Sequence, residues 1–273
     1  MDGADIEIIH DSPRGNFKHI LFDFDGTISL LREGWQDIMT PLCVEMICGG
    51  PSDDAEVLRA VETMIDETTG IQTIFQMERL REMVREFGRV PEDEILDPPG
   101  YKEIYNDRLL VPVRERLARL ASGERSVADF TVDGVHDFLD RLKQRGAEMY
   151  VFSGTDRDDV RRECATLEAA PYFNEIWGAL PSVDEYSKEK VIREIMAEHG
   201  LHGGEVMAVG DGPVELRNIK DAGGYAIGVC SDEKTGRGWD LAKRDRLVNA
   251  GADILVPDFL EAERLTAYLF GRG

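Results

Sequence analysis

Short apolar runs, each closed by glycine or polar residues, recur along this chain. Ile20-Leu21-Phe22 runs into Asp23, and Met149–Phe152, Val206–Val209, Ala226–Val229 and Ile254–Val256 repeat the pattern, with Ile176–Leu180 a weaker case. Runs this short and this continuously apolar predict strands buried on both faces. Between them apolar positions return at helical spacing: Val135, Leu139 and Leu142 before Gly146, then Val191, Ile192, Ile195 and Met196 before Gly200, then Leu241, Leu247 and Val248 before Gly251. A glycine in that place suits the left-handed residue that ends a helix. Strand–helix alternation over residues 130–273 predicts an α/β fold: a parallel sheet with helices on both faces. Ligands of such sheets gather at the carboxyl ends of the strands.

Residues 32–129 have a different rhythm. No strand pattern appears, and apolar residues keep helical spacing at Val57, Val61, Met64 and Ile65, and again at Phe75, Leu80, Met83, Val84 and Phe87. Pro91, Pro98, Pro99 and Gly100 interrupt the pattern, and a third helical stretch runs from about Tyr101 to Leu120. An all-helical domain over 32–129 is therefore expected as an insertion, which leaves a discontinuous α/β core of residues 1–31 and 130–273.

Charge narrows the partners. Thirty-two basic against 54 acidic residues give a net charge of −22, a field that disfavours nucleic acid and anionic membranes. It also opposes anionic small substrates at long range, so any phosphate would need local cations. No apolar stretch approaches the roughly 20 residues that span a bilayer. The start, Met1-Asp2-Gly3-Ala4-Asp5, lacks the apolar segment of a signal peptide. Cys43, Cys48, Cys164 and Cys230 form no Cys-x-x-Cys pair, which fits reduced thiols in a cytoplasmic protein. No feature of the chain points to an oligomeric state.

Four clusters at or near strand ends carry candidate chemistry. Asp23-Phe24-Asp25-Gly26-Thr27 places two carboxylates at a turn, where they repel unless a hard cation such as magnesium lies between them; the alternative is a solvated acidic turn. Ser153-Gly154-Thr155-Asp156 offers hydroxyls and backbone N–H groups to a phosphate, or an ordinary helix N-cap. Tyr186-Ser187-Lys188-Glu189-Lys190 sets lysines near a helix start, against the macrodipole preference, as a functional ammonium or a surface charge. Gly210-Asp211-Gly212, with Glu215 four residues after Asp211, ends another buried strand in an acid flanked by glycines.

Taken in chain order, these motifs closely resemble the haloacid dehalogenase-like hydrolase superfamily, over residues 18–30 and 130–260. The helical insertion matches that family's first type of cap, shared by β-phosphoglucomutase-like and phosphoglycolate phosphatase-like members. The resemblance implies a Rossmann-like core and a magnesium-dependent phosphatase acting on a small phosphorylated metabolite, sugar phosphates being the leading class. It makes Asp23 the nucleophile that becomes an aspartyl-phosphate, and Asp25 the acid and base. Gly26 permits the turn and Thr27 supports it. Ser153 and Gly154 would bind the transferring phosphoryl group. Lys188 would balance charge, with Lys190 as the alternative. Magnesium would sit between Asp23, the Asp25 backbone carbonyl and Asp211, beside Gly210. Many relatives have Asp where this chain has Glu215, which leaves that residue to reach the ion through water or to orient Asp211. Asp25 argues against dehalogenation, because a halide needs no proton.

The cap would set substrate size. Its loop Thr68-Thr69-Gly70-Ile71-Gln72-Thr73 either faces substrate through Gly70, Gln72 and Thr73 or forms a capping box from Thr69 to Gln72. Arg32, at the hinge with Trp35, either reaches substrate or is a surface arginine. Competing readings are a β-phosphoglucomutase-type mutase, a phosphonate hydrolase using Lys102 of the cap, and a catalytically silent metabolite-binding protein. The five histidines are scattered and read as core or surface residues. Glu78–Glu86 with its arginines reads as a salt-bridged solvent face. Asp156 could brace the phosphate loop.

Overall fold

The computed structural model describes residues 6–180 and 187–271; Tyr186 and the Met1–Asp5 start lie outside them. The described residues contain seven strands, β1 (Glu7–Ile8), β2 (His19–Phe22), β3 (Glu148–Asp156), β4 (Glu175–Ala179), β5 (Val206–Gly210), β6 (Tyr225–Val229) and β7 (Ile254–Val256). They form one sheet in the order β1-β7-β6-β5-β2-β3-β4. Side chains of β2 alternate: Ile20 and Phe22 join one hydrophobic cluster and Leu21 the other. The first cluster lies under α5 (Val135–Gln144), α6 (Arg157–Thr166) and α10 (Ala262–Phe270). The second lies under α7 (Lys188–Glu198), α8 (Pro213–Asp221) and α9 (Leu241–Asn249). With both faces covered, uniformly apolar strands are what burial requires.

Phe138 of α5 shows how closely this packing is built. Its ring stacks on Phe259 at 4.9 Å and meets Phe22 edge-on at 6.1 Å, fully buried. Phe138→Ala is expected to lower the unfolding free energy by about 3–5 kcal/mol, measured as a shifted urea midpoint with an unchanged slope.

The sheet is parallel, as expected, from β2 to β7, and only the short first strand adds an antiparallel edge. β1 pairs antiparallel with β7, Glu7 opposite Leu255 and Ile8 opposite Ile254. Two residues carry no periodicity, so no pattern could announce them. Glu7 is held by Arg244 of α9, Nε at 2.7 Å, and Ile9 and His10 donate their N–H groups to the Asp253 carbonyl.

At the centre, β2 pairs in parallel with β5 on one side and β3 on the other, Phe22 opposite both Val209 and Val151. Whatever follows those three residues must emerge side by side. Another departure lies here: β3 does not stop at Phe152 but continues to Asp156, pairing Asp156 with Ala179 across an irregular register. Ser153 and Gly154 thus stand on an extended strand, and α6 opens only at Arg157.

Between β2 and β3 lie α1 (Trp35–Cys48), α2 (Ala55–Thr68), α3 (Thr73–Phe87) and α4 (Pro98–Ala121), which share a hydrophobic cluster of their own. α1 was not singled out by the spacing, although it buries Met39, Leu42, Cys43, Val44 and Ile47. α4 begins at Pro98, ahead of the expected Tyr101, because Asp97 caps it through the Gly100 N–H at 2.9 Å. The prolines occupy its first turn, where no N–H partner is needed. No capping box joins Thr69 to Gln72: the Thr69 hydroxyl donates back to the Ile65 carbonyl at 2.8 Å and ends α2. On α3, Arg79 pairs with Glu82 and Glu86, and Arg85 with Glu92, all exposed, as the charge pattern implied. Among the described residues, no helix is long and apolar enough to cross a membrane.

His19, at the amino end of β2, is buried with Nδ1 3.1 Å from the Tyr150 hydroxyl and its ring 4.4 Å from that of His199. Burial first, and His199 next, hold its pKa below the ordinary 6.5, with Lys18 adding to this and Glu148 and Glu205 opposing it. The unfolded chain therefore takes up this proton first as pH falls. Stability should decline as pH drops below about 6.5 and level off once folded His19 protonates as well. Chemical melts across this range should show a shallower decline in His19→Phe than in the parent.

Candidate active site

Asp23 follows directly on Phe22, and its N–H donates to the Val209 carbonyl at 2.8 Å, so β2 delivers the carboxylate beside the end of β5. It is buried, with Oδ1 2.9 Å from Nζ of Lys188 at the start of α7. The same ammonium lies 3.0 Å from Oε2 of Glu215, whose Oε1 accepts the Gly212 N–H at 2.7 Å. Asp23, Asp211 and Glu215 each present a carboxylate oxygen within 4.8 Å of the others. Lys190, the alternative lysine, pairs instead with Glu194 at 3.9 Å on the outer face of α7.

Asp25 turns the other way. Its Oδ2 accepts the Thr155 hydroxyl at 2.7 Å and lies 3.5 Å from the Ser153 hydroxyl, while Oδ1 is 3.7 Å from Nε of Arg32. Between the two acids the chain must double back. Phe24 accepts N–H bonds from Ile28 and Ser29 at 2.9 Å, Thr27 is fully buried, and Gly26 takes φ +74°. A methyl group on Gly26 would come within 2.2 Å of Asp211 Oδ2, so close approach and backbone conformation both require glycine. Gly210 is equally confined, its Cβ position 2.5 Å from Glu215 Cγ.

Arg32 is buried rather than a surface residue. It bonds Glu163 through Nη2 at 2.6 Å and Nε at 3.2 Å, with Asp159 at 3.5 Å, so a guanidinium embedded among carboxylates ties α6 to the turn that carries Asp25. Opposing charges hold it protonated against burial. Burial raises the pKa of Asp23, with Lys188 opposing and Glu215 and Asp211 adding to the rise. Burial likewise raises Asp25, against Arg32 and the Thr155 hydroxyl. Carboxylates outnumber cations around this cavity, a set of hard oxygen donors suited to a divalent ion.

Lys243 was missed by the sequence reading. The apolar count on α9 chose Leu241, which is 69% exposed, whereas Lys243 stands four residues before buried Leu247 on the inward face. Its Nζ lies 2.8 Å from Asp211 Oδ2 and 2.6 Å from Glu233 Oε1. The i,i+4 offset from Leu247 was the available signal. Glu163 carried the same signal, three residues after buried Val160 and four before buried Leu167, whereas Glu233, in a turn outside any helix, had none.

The cavity these groups line has a volume of about 100 Å³. Asp23, Asp25, Ser153, Gly154, Lys188 and Asp211 reach it from the core side and Arg32 from the hinge, while Gly70 of the loop between α2 and α3 and Thr73 at the start of α3 reach it from the helical insertion. Gln72 of the same loop is buried and does not line the cavity. Trp35, Thr69, Gln76, Tyr105 and Leu109 line it as well, with Glu233. The loop rests on the core: a Cβ on Gly154 would lie 2.7 Å from the Ile71 carbonyl, and one on Gly70, at φ +91°, 2.8 Å from Glu215 Oε2. Lys102 does not reach the cavity; it pairs with Asp156 at 2.5 Å, and Asp156 thereby anchors α4 rather than the Ser153 loop.

Residues 17–223 match the family described as hydrolase, haloacid dehalogenase-like hydrolase. No curated protein matches the chain by sequence. Among solved structures, a haloacid dehalogenase-like family protein from Streptococcus pneumoniae is 18% identical with a TM-score of 0.59, covering 93% of this chain and 98% of its own. A β-phosphoglucomutase from Clostridium difficile is 14% identical with a TM-score of 0.60, covering 92% and 97%. A predicted phosphoglycolate phosphatase from Haemophilus somnus is 16% identical with a TM-score of 0.58, covering 92% and 98%. At such identities the likeness speaks for the fold alone.

Proposed function

Given that this chain belongs to the haloacid dehalogenase-like hydrolases, we propose that it is a magnesium-dependent phosphatase of a small phosphorylated metabolite, a sugar phosphate or similar monoester. The observation that carries this reading is the division of labour between the acids. Asp23 is paired with Lys188 at 2.9 Å, while Asp25 is held apart by Thr155 at 2.7 Å, with one small cavity between them.

In this mechanism a carboxylate oxygen of Asp23 attacks phosphorus, the bond from phosphorus to the leaving oxygen breaks, and Asp25 gives that oxygen a proton. Asp25, now a base, takes a proton from water as the water oxygen attacks phosphorus and the bond to Asp23 breaks. Lys188 offsets the repulsion between Asp23 and the incoming dianion, and the Ser153 hydroxyl and Gly154 N–H hold phosphoryl oxygens. Asp23, the Asp25 carbonyl and Asp211 would hold magnesium, with Glu215 fixing the Gly212 turn and Lys188. When bound, the ion supplies positive charge to the phosphoryl oxygens. The raised pKa of Asp25 favours the protonated form that the first step uses.

Residues 32–129 act as a cap over a core made of 1–31 and 130–273, and its loop at Gly70 and Thr73 meets the leaving group. A cavity of about 100 Å³, against roughly 300–1,000 Å³ for drug-sized ligands, favours a small metabolite over a phosphoprotein or nucleic acid. With the strongly acidic charge and free thiols, this fits a cytoplasmic enzyme bound to neither membranes nor nucleic acid. The ion pair between Lys102 and Asp156 speaks against phosphonate chemistry, and the paired acids speak against a silent binding role.

Release of inorganic phosphate from a panel of phosphorylated metabolites with magnesium tests the proposal. Activity should disappear with EDTA and return with added magnesium. Isomerised sugar phosphate with no phosphate release would replace hydrolysis by mutase chemistry.

A further inference from the structure

We infer that this cavity accommodates one phosphate and an uncharged leaving group, which makes the protein a hydrolase of monophosphates rather than a mutase working through a bisphosphate. The inference rests on the phosphatase reading above and deepens it. Among the described residues, two cations line the cavity, Lys188 and Arg32. Lys188 stands on the core side and Arg32 at the hinge, and both already face carboxylates, Lys188 those of Asp23 and Glu215, and Arg32 those of Glu163, Asp159 and Asp25. The opposite wall, from the helical insertion, offers Trp35, Thr69, Thr73, Gln76, Tyr105 and Leu109. These are hydroxyls, an amide, aromatic faces and an aliphatic group, with no charge among them. Residues 181–186, just ahead of Lys188, contain neither Lys nor Arg.

A hydroxylated, partly apolar leaving group finds partners on that wall. A second anion does not. Desolvated against Trp35, Tyr105 and Leu109 and close to Asp25 and Glu233, it would lose hydration without gaining a counter-charge. Mutase chemistry needs such an anion. Passing the phosphoryl group from Asp23 to a hydroxyl of a bound sugar monophosphate breaks the bond from phosphorus to Asp23, forms one to the sugar oxygen and sends the hydroxyl proton to Asp25. The product carries two phosphates, one of them against the neutral wall. Leaving groups bearing a carboxylate meet the same barrier.

Matched pairs test this on the full chain with magnesium: glycerol phosphate against phosphoglycerate, and glucose monophosphate against glucose bisphosphate. The neutral-leaving-group member of each pair should have the higher kcat/KM by about a hundredfold or more. Thr73→Lys or Gln76→Lys, placing an ammonium on the wall, should narrow that ratio by about tenfold or more. Equal or faster turnover of the charged members, or a ratio that neither lysine variant moves, would overturn the inference while leaving a phosphatase in place. Failure to release phosphate from any of the four, or from an aryl phosphate, would overturn the phosphatase reading and this inference with it.

Discussion

Asp23→Asn is expected to reduce kcat on an aryl phosphate by about four orders of magnitude or more, with no loss of thermal stability. The amide keeps the shape of the side chain but lacks the lone-pair charge that attacks phosphorus. Stability should hold or rise, because the wild-type carboxylate is buried and its charged form is disfavoured by burial and by neighbouring Glu215 and Asp211. Lys188, deprived of one partner at 2.9 Å, keeps Glu215 at 3.0 Å. Such a site trades stability for chemistry, as functional sites often do. Paired measurement of turnover and melting temperature checks both halves. Unchanged turnover would sink the nucleophilic role, and a collapsed melting temperature would show that Asp23 is held for structure.

Lys243→Met should be the costliest single change outside the apolar core, at about 3–5 kcal/mol of unfolding free energy. The methylene stem is replaced by a similar volume, so packing survives. What is lost is the ammonium between Asp211 and Glu233, 2.8 and 2.6 Å away, which leaves two neighbouring carboxylates without the cation that lies between them. Burial raises the pKa of Glu233, and only Lys243 opposes that rise directly. Two measurements separate charge from shape. Adding Glu233→Gln to the lysine variant should recover part of the loss, a coupling visible in a double-mutant cycle. Magnesium should also raise the variant's melting temperature more than the parent's, since an added dication meets an uncompensated Asp211. Additive losses with no magnesium effect would mean that Lys243 acts through its stem alone.

Both predictions draw on acids at the carboxyl edge of the sheet, Asp23 after β2 and Asp211 after β5, and they differ in what the sequence could say about their partners. The acids at 23, 25 and 211 follow apolar runs directly, so their place at the carboxyl edge was legible from pattern alone. Lys188 was legible as one of two lysines near a helix start, and the 2.9 Å approach to Asp23 chose it over Lys190. Arg32 was ambiguous because an arginine after a turn looks the same whether it faces water or Glu163. Ser153 reads as the end of a strand closing at Phe152, and pairing with β4 carries that strand on to Asp156.

By itself the sequence determined the alternation that makes a layered α/β core, the helical character of the insertion, and the chain order of the acidic, hydroxyl, lysine and Gly-Asp-Gly motifs. These are local properties, since burial on both faces and helical periodicity are written in residues a few positions apart. Tertiary structure alone decided which charges meet. Arg32 finds Glu163, Lys243 finds Asp211 and Glu233, and the Gly70 loop finds Gly154 across long separations in the chain. An ion pair or a neutral cavity wall depends on distances of a few ångströms between distant segments. No periodicity records such distances.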